Sequence, residues 1–406
     1  MGRSVAIIGG YVVPGVGEPA DGGTVLIEDG RVAAVGRNVA IPDGVEVVDV
    51  SGKWVVPGFV DGHAHVGVHE EAEGWAGDDT NERTDPNGAG LRAIDAINPA
   101  DKGFPDALSG GVLTAVVKPG SANPIGGRTV ALKCWGRVVD EMAFREPASV
   151  KSALGENPKR VYGDKKQLPS TRLGVASVIR DAFTKTRDYM ERRANAEAGG
   201  SPVETDPRLE ALGMVLRGEV PWCQHCHRAD DVATAVRLAE EFGYRLVVNH
   251  GTEAHLIADF LAEKNIPVIT GPLFTARAKI ELRQRTLKGP GVLARAGVLV
   301  AIMTDHPVVP IHFLVHQATL AMKEGLDRDE ALRAITVNPA RMLGIDDRVG
   351  SLEPGKDGDV CVWSGDPLDV LQRCERAYIE GREVYRYDTG RDEGVVTDPY
   401  GANSIT

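Results

Sequence analysis

The sequence predicts an α/β protein in which a (β/α)8 barrel of the TIM type is joined to a small β-sandwich domain formed from both chain termini. Two observations predict this fold: short β-rich segments occur at both ends of the chain, and strands alternate with helices between them. A chain of 406 residues with 42% hydrophobic residues is long enough to bury one large core beside a smaller one.

The two ends of the chain consist of short β segments bounded by turns. Residues 1–56 contain VAIIGGYVV, GGTVLIEDGRVAAVG and VEVVDVSGKWVVPG, and residues 352–390 contain GDVCVWSGD and RAYIEGREVYRYD. The EDG and SGK triplets predict hairpin turns between alternating strands. We therefore expect residues 1–56 and 352–390 to form one composite β-sandwich, with residues 391–406 as a C-terminal tail.

Residues 57–351 alternate between buried strands and amphipathic helices. The apolar runs GVLTAVVKPG, RLVVNHG, IPVITG and VLVAIMTD predict strands, whereas ADDVATAVRLAEEFG has apolar residues at helical spacing behind an aspartate cap. This alternation predicts parallel βα units, and about eight such units would close a barrel. A doubly wound open sheet is the alternative. Residues 71–98 and 171–219 are predicted to be insertions.

Composition and charge exclude several classes of function. The chain has 46 Lys+Arg against 58 Asp+Glu, so its net charge of −12 disfavours binding to nucleic acid. No apolar run is long enough to span a bilayer, and five cysteines in so long a chain do not form a disulfide framework. We expect a cytoplasmic protein that acts on a small-molecule substrate, with no nucleic-acid or membrane partner. Assembly into a homo-oligomer is compatible with the sequence.

The stretch VPWCQHCHRADD combines two cysteines and two histidines. If it is a strand, Cys223, His225 and His227 share one face while Cys226 lies on the other, which prevents both thiols from binding one metal. A zinc ribbon would need a second Cys or His pair nearby, and a redox pair would lie at a helix N-terminus. The cysteines are therefore expected to be small buried hydrophobic residues, and the histidines to lie at a strand end, where barrel enzymes place catalytic side chains.

Other potential metal ligands end further strands. GFVDGHAH places His63 and His65 at i and i+2 on one strand face, so that both imidazoles can reach one ion. His250 ends RLVVNHG, and Asp305 follows VLVAIMT. Neutral imidazoles and a carboxylate at several strand ends form a ligand set suited to Zn²⁺.

These motifs resemble those of the amidohydrolase superfamily. GFVDGHAH, then HCH, NHG and TDH in this order, between β-rich ends, are most similar to the branch that contains imidazolonepropionase and related metal-dependent dipeptidases. The resemblance covers nearly the whole chain, including the closing SLEPGKDGDVCVWSGDPL. It does not specify the substrate.

The resemblance implies a set of metal ligands. His63, His65 and Asp305 would hold the more buried ion, and His225 and His250 would hold a second ion. In members with two metals a carboxylated lysine bridges them, and the matching position is Lys151. Lys118, which also ends a predicted strand, is the competing candidate. Members with a single metal lack this lysine, so one or two ions remain open.

The predicted reaction is hydrolysis of a C–N bond in an amide, cyclic amide or peptide-like substrate by a metal-activated hydroxide. Asp305 would take the proton from the nucleophile and deliver it to the leaving nitrogen. The alternative is a deaminase of the same superfamily that uses one metal. A scaffold protein without activity would lack ligands that this chain retains, and a redox protein would depend on Cys223 and Cys226.

Substrate-binding candidates are fewer and weaker. His227 shares the predicted strand face of His225. His69 and Trp75 belong to a long loop after the first predicted barrel strand, and such loops often bind substrate. Arg160 and Lys159 are candidates to pair with a substrate carboxylate, and surface positions are the alternative for both.

Overall fold

The computed structural model describes residues 4–400, which fold into nineteen strands and eleven α-helices. The strands are β1 Val5–Val12, β2 Ala20–Glu28, β3 Arg31–Gly36, β4 Glu46–Asp49, β5 Trp54–Pro57, β6 Phe59–Ala64, β7 Val112–Val117, β8 Ile125–Arg128, β9 Val130–Lys133, β10 Ala143–Arg145, β11 Val150–Ala153, β12 Trp222–Cys226, β13 Leu246–His250, β14 Val268–Thr270, β15 Val300–Ile302, β16 Val360–Trp363, β17 Cys374–Ile379, β18 Arg382–Asp388 and β19 Glu393–Val396.

The helices lie mainly between the strands of the central region. They are α1 Gly103–Ser109, α2 Val139–Met142, α3 Glu156–Gly163, α4 Arg172–Glu197, α5 Pro207–Leu216, α6 Ala229–Phe242, α7 Ala258–Glu263, α8 Gly289–Arg295, α9 Leu314–Lys323, α10 Arg328–Arg333 and α11 Val337–Leu343. The α/β class that the sequence predicts is therefore confirmed.

Both ends of the described chain contribute to one nine-stranded sheet. Its order is β19-β18-β17-β16-β5-β1-β2-β3, with β4 also paired to β1. The EDG hairpin is confirmed, because Glu28 pairs with Arg31 across the turn. The SGK hairpin is wrong: β4 and β5 both run parallel to β1, so the turn between them bends the chain along one edge of that strand.

The terminal sheet extends beyond residue 390. Strand β19 pairs with β18 from Tyr385↔Val396 to Asp388↔Glu393, so part of the segment predicted as a tail is a strand of the sheet. Residues 401–406, the end of that segment, lie outside the described residues, as do residues 1–3.

Two smaller sheets contain the strands of the central region. Strands β6 and β7 are parallel, and β11, β12, β13, β14 and β15 form a continuous parallel series. One segment departs from the predicted pattern of parallel strands: β9 pairs antiparallel with β7, and β8 pairs antiparallel with β11. Since β8 and β9 are separated only by Thr129, this segment connects the two sheets.

The opposite edges of these two sheets also meet. The Asp305 N–H donates to the His63 carbonyl at 3.2 Å, and the His65 N–H donates to the His306 carbonyl at 2.9 Å. A buried apolar cluster takes residues from β6, β7, β9, β12, β13, β14 and β15, among them Val60, Val116, Ala131, Val247, Ile269 and Ala301. These seven strands therefore contribute side chains to one common apolar cluster.

The segment VPWCQHCH, which begins at Val220, contains the strand β12, in which every residue is buried. Cys223 belongs to the apolar interior between the strands, whereas Cys226 packs in a second cluster with residues of α6 such as Val232 and Val236. The two thiols thus lie on opposite faces, as strand alternation predicts. Both are free cysteines.

The segment 171–219 contains the long helix α4 and the shorter helix α5. Thr171 caps α4 by accepting from the Gly174 N–H, and Asp206 caps α5, whose first residue is proline. Within residues 4–400 no helix is long and apolar enough to cross a bilayer.

Candidate metal centre

The side chains predicted as metal ligands meet at the carboxyl ends of the central strands. His63 lies in β6, His225 in β12 and His250 at the end of β13, whereas His65 and Asp305 follow β6 and β15. Parallel strands bring their carboxyl ends to one edge of a sheet, so residues 242 positions apart in sequence, such as His63 and Asp305, become neighbours.

Asp305 lies at the centre of three imidazoles. Its Oδ1 atom is 3.2 Å from His65 Nε2, 3.3 Å from His63 Nε2 and 4.0 Å from His250 Nε2. His250 and Asp305 both have positive φ angles, 71° and 55°. A non-glycine residue in this conformation costs about 1–2 kcal/mol, and such strain is commonly found at functional sites.

Hydrogen bonds to the other ring nitrogen fix the orientation of these imidazoles. The Nδ1 atom of His65 donates to the Lys118 carbonyl at 2.7 Å, and that of His250 donates to the Gly271 carbonyl at 3.0 Å. Because a carbonyl oxygen can only accept, each Nδ1 carries the proton and each Nε2 keeps a free lone pair. This is the arrangement that metal-ligating histidines adopt.

His63 is oriented by a side chain rather than by a carbonyl of the backbone. Its Nδ1 lies 2.7 Å from Asn249 Oδ1, which also accepts a hydrogen bond of 2.9 Å from Lys118 Nζ. Since the lysine can only donate, it holds the oxygen of the Asn249 amide toward His63. All three side chains are fully buried.

His225, His227 and His250 form a second group. One ring nitrogen from each lies within 4.8 Å of the others, and the same limit holds for His63, His250 and Asp305. His225 Nδ1 and His227 Nε2 are buried and have no hydrogen-bond partner among the described residues. Buried polar atoms are almost always paired, so these free nitrogens fit a site that holds a cation.

The two candidate lysines occupy different positions. Lys151 Nζ lies 3.5 Å from His63 Nε2, the nitrogen that faces Asp305, and 3.0 Å from the Pro119 carbonyl. Lys118 Nζ instead contacts Asn249, on the Nδ1 side of His63. Burial lowers the pKa of Lys151 to about 7, so a large share of its amine is neutral near physiological pH.

Burial also determines the charge of the other groups. It lowers the pKa of His63, His225 and His250 well below the usual range, so these imidazoles are neutral. Burial alone would raise the pKa of Asp305, but the surrounding imidazoles of His250, His63 and His65 hold it well below its usual range. The site thus presents neutral nitrogens and one carboxylate, a donor set that zinc prefers.

Comparison with known proteins identifies the family of this chain. A profile of the Amidohydrolase family matches residues 217–385. The crystal structure of an amidohydrolase from Thermotoga maritima MSB8 has 48% identity and a TM-score of 0.91, and the match covers 94% of this chain and 100% of the other. The chain belongs to the amidohydrolase family.

Two curated relatives refine this placement. Imidazolonepropionase from Cupriavidus necator is 26% identical over 88% of this chain and 87% of the relative. Amidohydrolase tasK from Hapsidospora irregularis is 31% identical over 88% of this chain, which spans only 39% of the length of tasK. The protein is thus an amidohydrolase of the imidazolonepropionase-like branch and an enzyme that acts on carbon–nitrogen bonds, as the sequence motifs predict.

The three predicted substrate-binding residues of this amidohydrolase differ in their distance from the candidate metal centre. His227 is buried beside His225 and His250, and its Nδ1 lies 2.8 Å from Thr252 Oγ1. Trp75 is 92% exposed, and His69 Nδ1 pairs at 3.5 Å with Asp78 on the same loop. The geometry therefore supports His227 as a residue of the site, whereas within residues 4–400 the His69 and Trp75 side chains form no hydrogen bond with the proposed ligands; His69 contacts His65 only through its backbone N–H, which donates to the His65 carbonyl at 2.9 Å.

Three residues near the centre of this amidohydrolase were not predicted from the sequence. Asn249 fixes the His63 ring, as described above. Asn157, at the start of α3, places its Nδ2 atom 3.4 Å from His225 Nε2, and Lys279 Nζ donates to Asn157 Oδ1 at 3.2 Å. Asn249 immediately precedes a predicted ligand, which is the only sequence feature that could have identified it. Asn157 lies in the first turn of α3 and Lys279 in the loop after β14, and the sequence does not define how these two segments approach each other.

Proposed function

We propose that this protein is a metal-dependent hydrolase that cleaves an amide, cyclic amide or peptide-like C–N bond. The proposed ligands are His63, His65, His225, His250 and Asp305, together with Lys151. The single observation that best supports the proposal is the convergence of three free Nε2 lone pairs within 3.2–4.0 Å of one Asp305 oxygen.

The proposed scaffold is a closed (β/α)8 barrel attached to a β-sandwich made from both termini. The backbone hydrogen bonds that join Asp305 and His306 to β6, and the apolar interior shared by the central strands, support closure. The segment that contains β8 and β9 would be the third strand, running antiparallel to its neighbours. A rigid ring of this kind holds ligands from separate strands in fixed geometry.

The residues fit one or two divalent ions, and zinc is the proposed metal. The group of His63, His250 and Asp305 and the group of His225, His227 and His250 share His250, so two neighbouring positions are available. A divalent ion bound there would lower the pKa of a water molecule and polarise the scissile carbonyl. Lys151, as a carbamate, is the proposed bridge because its amine faces the same His63 nitrogen as Asp305 does.

Asp305 is the proposed proton-transfer residue. Its low pKa keeps it ionised at neutral pH, so it can accept a proton from the attacking water and then donate that proton to the leaving nitrogen. The positive φ of Asp305 turns its carboxylate toward the imidazoles rather than along the strand. The Nδ1 hydrogen bonds of His63, His65 and His250 keep these rings from rotating during the reaction.

Metal removal and one substitution test this function together. Hydrolysis of N-acyl amino acids, dipeptides and cyclic ureides is measured before chelation, after chelation, and after zinc is restored. Activity should disappear with the metal and return with it, and Asp305→Asn should lose at least about a hundredfold in kcat because the proton acceptor is gone. The exposed Asp369→Asn is the matched control. Activity that survives chelation, or an Asp305→Asn variant as active as the wild type, would refute the proposal.

The metal count separates hydrolysis from the alternative of a mononuclear deaminase. About two ions per active chain support the bridged hydrolase, whereas about one ion, together with ammonia release from an aminated heterocycle, supports the deaminase. The observation that favours two ions is the distance of 3.5 Å between Lys151 Nζ and His63 Nε2.

A further inference from the structure

Helix α3 begins beside the candidate metal centre without a side-chain cap of its own. Gly155 precedes the helix, and Glu156 and Asn157 are its first two residues. The Asn157 Nδ2 atom lies 3.4 Å from His225 Nε2 and donates to Ser121 Oγ at 2.8 Å. The N–H groups of a first helical turn have no partner inside the helix, and a glycine has no side chain that could accept from them. The position of Asn157 against His225 therefore depends on the group that holds this turn.

The carboxylate of Glu281 acts as the cap of α3 from a distant segment. Glu281 lies in residues 271–288, the loop that connects β14 to α8, and its side chain is buried. Its Oε1 atom accepts from the Glu156 N–H at 3.0 Å. A carboxylate at a helix N-terminus satisfies a free N–H and interacts favourably with the helix dipole. The loop after β14 thus fixes the start of α3.

Glycine at position 155 permits this close approach. Gly155 has a φ angle of 86°, and a Cβ atom there would lie 2.9 Å from Glu281 Oε1 and 3.0 Å from Oε2. A serine, aspartate or asparagine, which could cap the helix locally, would collide with the Glu281 carboxylate and adopt a strained backbone. The chain therefore uses a cap from another segment in place of a local one.

One arginine joins the Glu281 carboxylate to two further helices. Arg172 is the first residue of α4, and its guanidinium donates to Glu281 Oε1 through Nη2 and to Asp231 Oδ1 at 3.0 Å through Nε. Asp231 lies in the first turn of α6 and is buried. The N-termini of α3, α4 and α6 are thus connected through Glu281 and Arg172.

Glu281 also fixes the part of its own loop that contacts Asn157. Lys279 lies two residues before Glu281, and its Nζ donates to Asn157 Oδ1 at 3.2 Å. Asn157 is therefore held twice by the same loop: through the capped N–H of its neighbour Glu156, and through its own amide oxygen. Loss of the Glu281 carboxylate would loosen both attachments.

We propose that Glu281 is a positioning residue of the candidate metal centre: its carboxylate caps α3 from outside the helix and so holds the Asn157 amide against the ring of His225. The opposite ring nitrogen of His225, Nδ1, is the buried atom without a hydrogen-bond partner among the described residues. Groups that orient a ligating histidine tune its affinity for the metal. The inference rests on the proposed function because His225 is a ligand only in that proposal.

The charges around Glu281 make this arrangement sensitive to pH. The titratable and charged groups that face Glu281 come from α3, α4, β12, α6 and its own loop: Glu156, Arg172, Cys226, Asp231 and Lys279. Burial, with the carboxylates of Glu156 and Asp231, raises the pKa of Glu281 to about 7, although Arg172 and Lys279 favour its ionised form. Burial raises the pKa of the Cys226 thiol, which therefore stays neutral.

The direction of the pH effect follows from this raised pKa. A glutamate exposed to water has a pKa of about 4.3, so the closed arrangement binds the Glu281 proton more tightly than an opened loop does. The closed arrangement is therefore favoured most below about pH 4.3, and this preference is lost as the pH rises through about 7. Opening of the loop should become more frequent over that range.

Zinc affinity tests the positioning role. Competition titrations against a chromophoric chelator are made with the full-length wild type, Glu281→Ala and Glu281→Gln. Glu281→Ala should bind zinc about tenfold more weakly, because Asn157 is no longer held against His225. Glu281→Gln keeps an acceptor oxygen for the Glu156 N–H and should restore the affinity. Asp206→Ala, which removes the carboxylate cap of α5, is the matched control and should lower stability without changing zinc affinity.

Hydrogen exchange of the metal-free protein gives a second readout that does not depend on activity. Protection of the peptide that contains Glu156 should fall by about tenfold or more between pH 5 and pH 8 in the wild type, after correction for the intrinsic exchange rate. Glu281→Gln has no ionisable group at this position and should show no such fall. If Glu281→Ala does not fold, this comparison alone decides the proposal.

Three results would overturn the positioning role. They are unchanged zinc affinity in a folded Glu281→Ala variant, affinity that Glu281→Gln fails to restore, and protection at Glu156 that has the same pH dependence in wild type and Glu281→Gln. The failure of the proposed function is distinguishable from these results, because it appears as hydrolysis that survives chelation, whatever the zinc affinity and hydrogen exchange of the Glu281 variants.

Discussion

The substitution Asn249→Ala tests whether the Asn249 side chain orients the proposed metal ligand His63 or only fills space in the protein interior. Asn249 Oδ1 accepts from His63 Nδ1 at 2.7 Å and from Lys118 Nζ at 2.9 Å, and all three side chains are fully buried. The substitution removes the acceptor for the His63 Nδ1 hydrogen bond, and it leaves the Lys118 amine without this partner.

Two effects of different size are expected. Loss of a hydrogen-bond acceptor behind a ligating histidine typically lowers metal affinity by about 10–100-fold, which corresponds to about 1.4–2.7 kcal/mol. The unfolding free energy should also fall, by about 2–3 kcal/mol, because a buried amine loses its acceptor. Asn249→Asp keeps an acceptor oxygen in place and should retain most of the affinity for zinc.

The assay is a competition titration of zinc against a chromophoric chelator, combined with urea unfolding of the metal-free protein. Asn338→Ala is the matched control: this buried asparagine donates to the Val300 carbonyl at 2.8 Å and forms no hydrogen bond with a histidine among residues 4–400. It should lower stability by about 1–2 kcal/mol and leave zinc affinity unchanged. An Asn249→Ala variant that binds zinc as tightly as the wild type would refute the orientation argument.

Four further outcomes are expected. Lys151→Met should reduce the zinc content from about two ions to about one per chain, whereas Lys118→Met should leave the count unchanged; elemental analysis measures both. Carbamate formation on the metal-free protein, followed by ¹³C NMR with labelled bicarbonate, should increase as the pH rises through about 7, since burial lowers the pKa of Lys151 to about 7 and only the neutral amine reacts. Cys226→Ser should retain activity, because this thiol faces the helices, and loss of activity would revive a redox role. Phe183→Ala should lower the unfolding free energy by about 3–5 kcal/mol in urea titrations, because Phe183 packs against the aromatic rings of Trp222, Phe242 and Tyr244; a smaller loss would show that the cluster tolerates a cavity.

The alternation of side chains along predicted strands indicated which histidines lie at strand ends, and the structure brings these histidines together. His63, His225 and His250 end apolar strands, and strand ends converge in any fold of parallel βα units. The same logic placed Cys223 and Cys226 on opposite faces of β12, which the core clusters confirm. Local periodicity was sufficient here because each inference concerned one strand at a time.

Contacts between distant loops could not be predicted in this way. Lys118 and Asn249 are 131 residues apart, and Asn157 and Lys279 are 122 residues apart, so neither pair has a local signature. The segment with β8 and β9 was not predicted as a strand, and its antiparallel pairing departs from the parallel βα units that the alternation of strands and helices predicts. The SGK triplet was wrongly predicted to form a hairpin. The same residue types are also found in turns between two strands that pair, one after the other, with the same edge of a third strand, as β4 and β5 do with β1.

Anomalous scattering at the zinc edge from crystals grown with zinc measures the cation positions without reference to any substrate. Two peaks about 3.5–4 Å apart are expected, one bonded to His63 and His65 and the other to His225 and His250, each at about 2.0–2.1 Å from the coordinating nitrogens. A map with no peak among these imidazoles, or with the zinc bound only at surface residues, would contradict the assignment of this site.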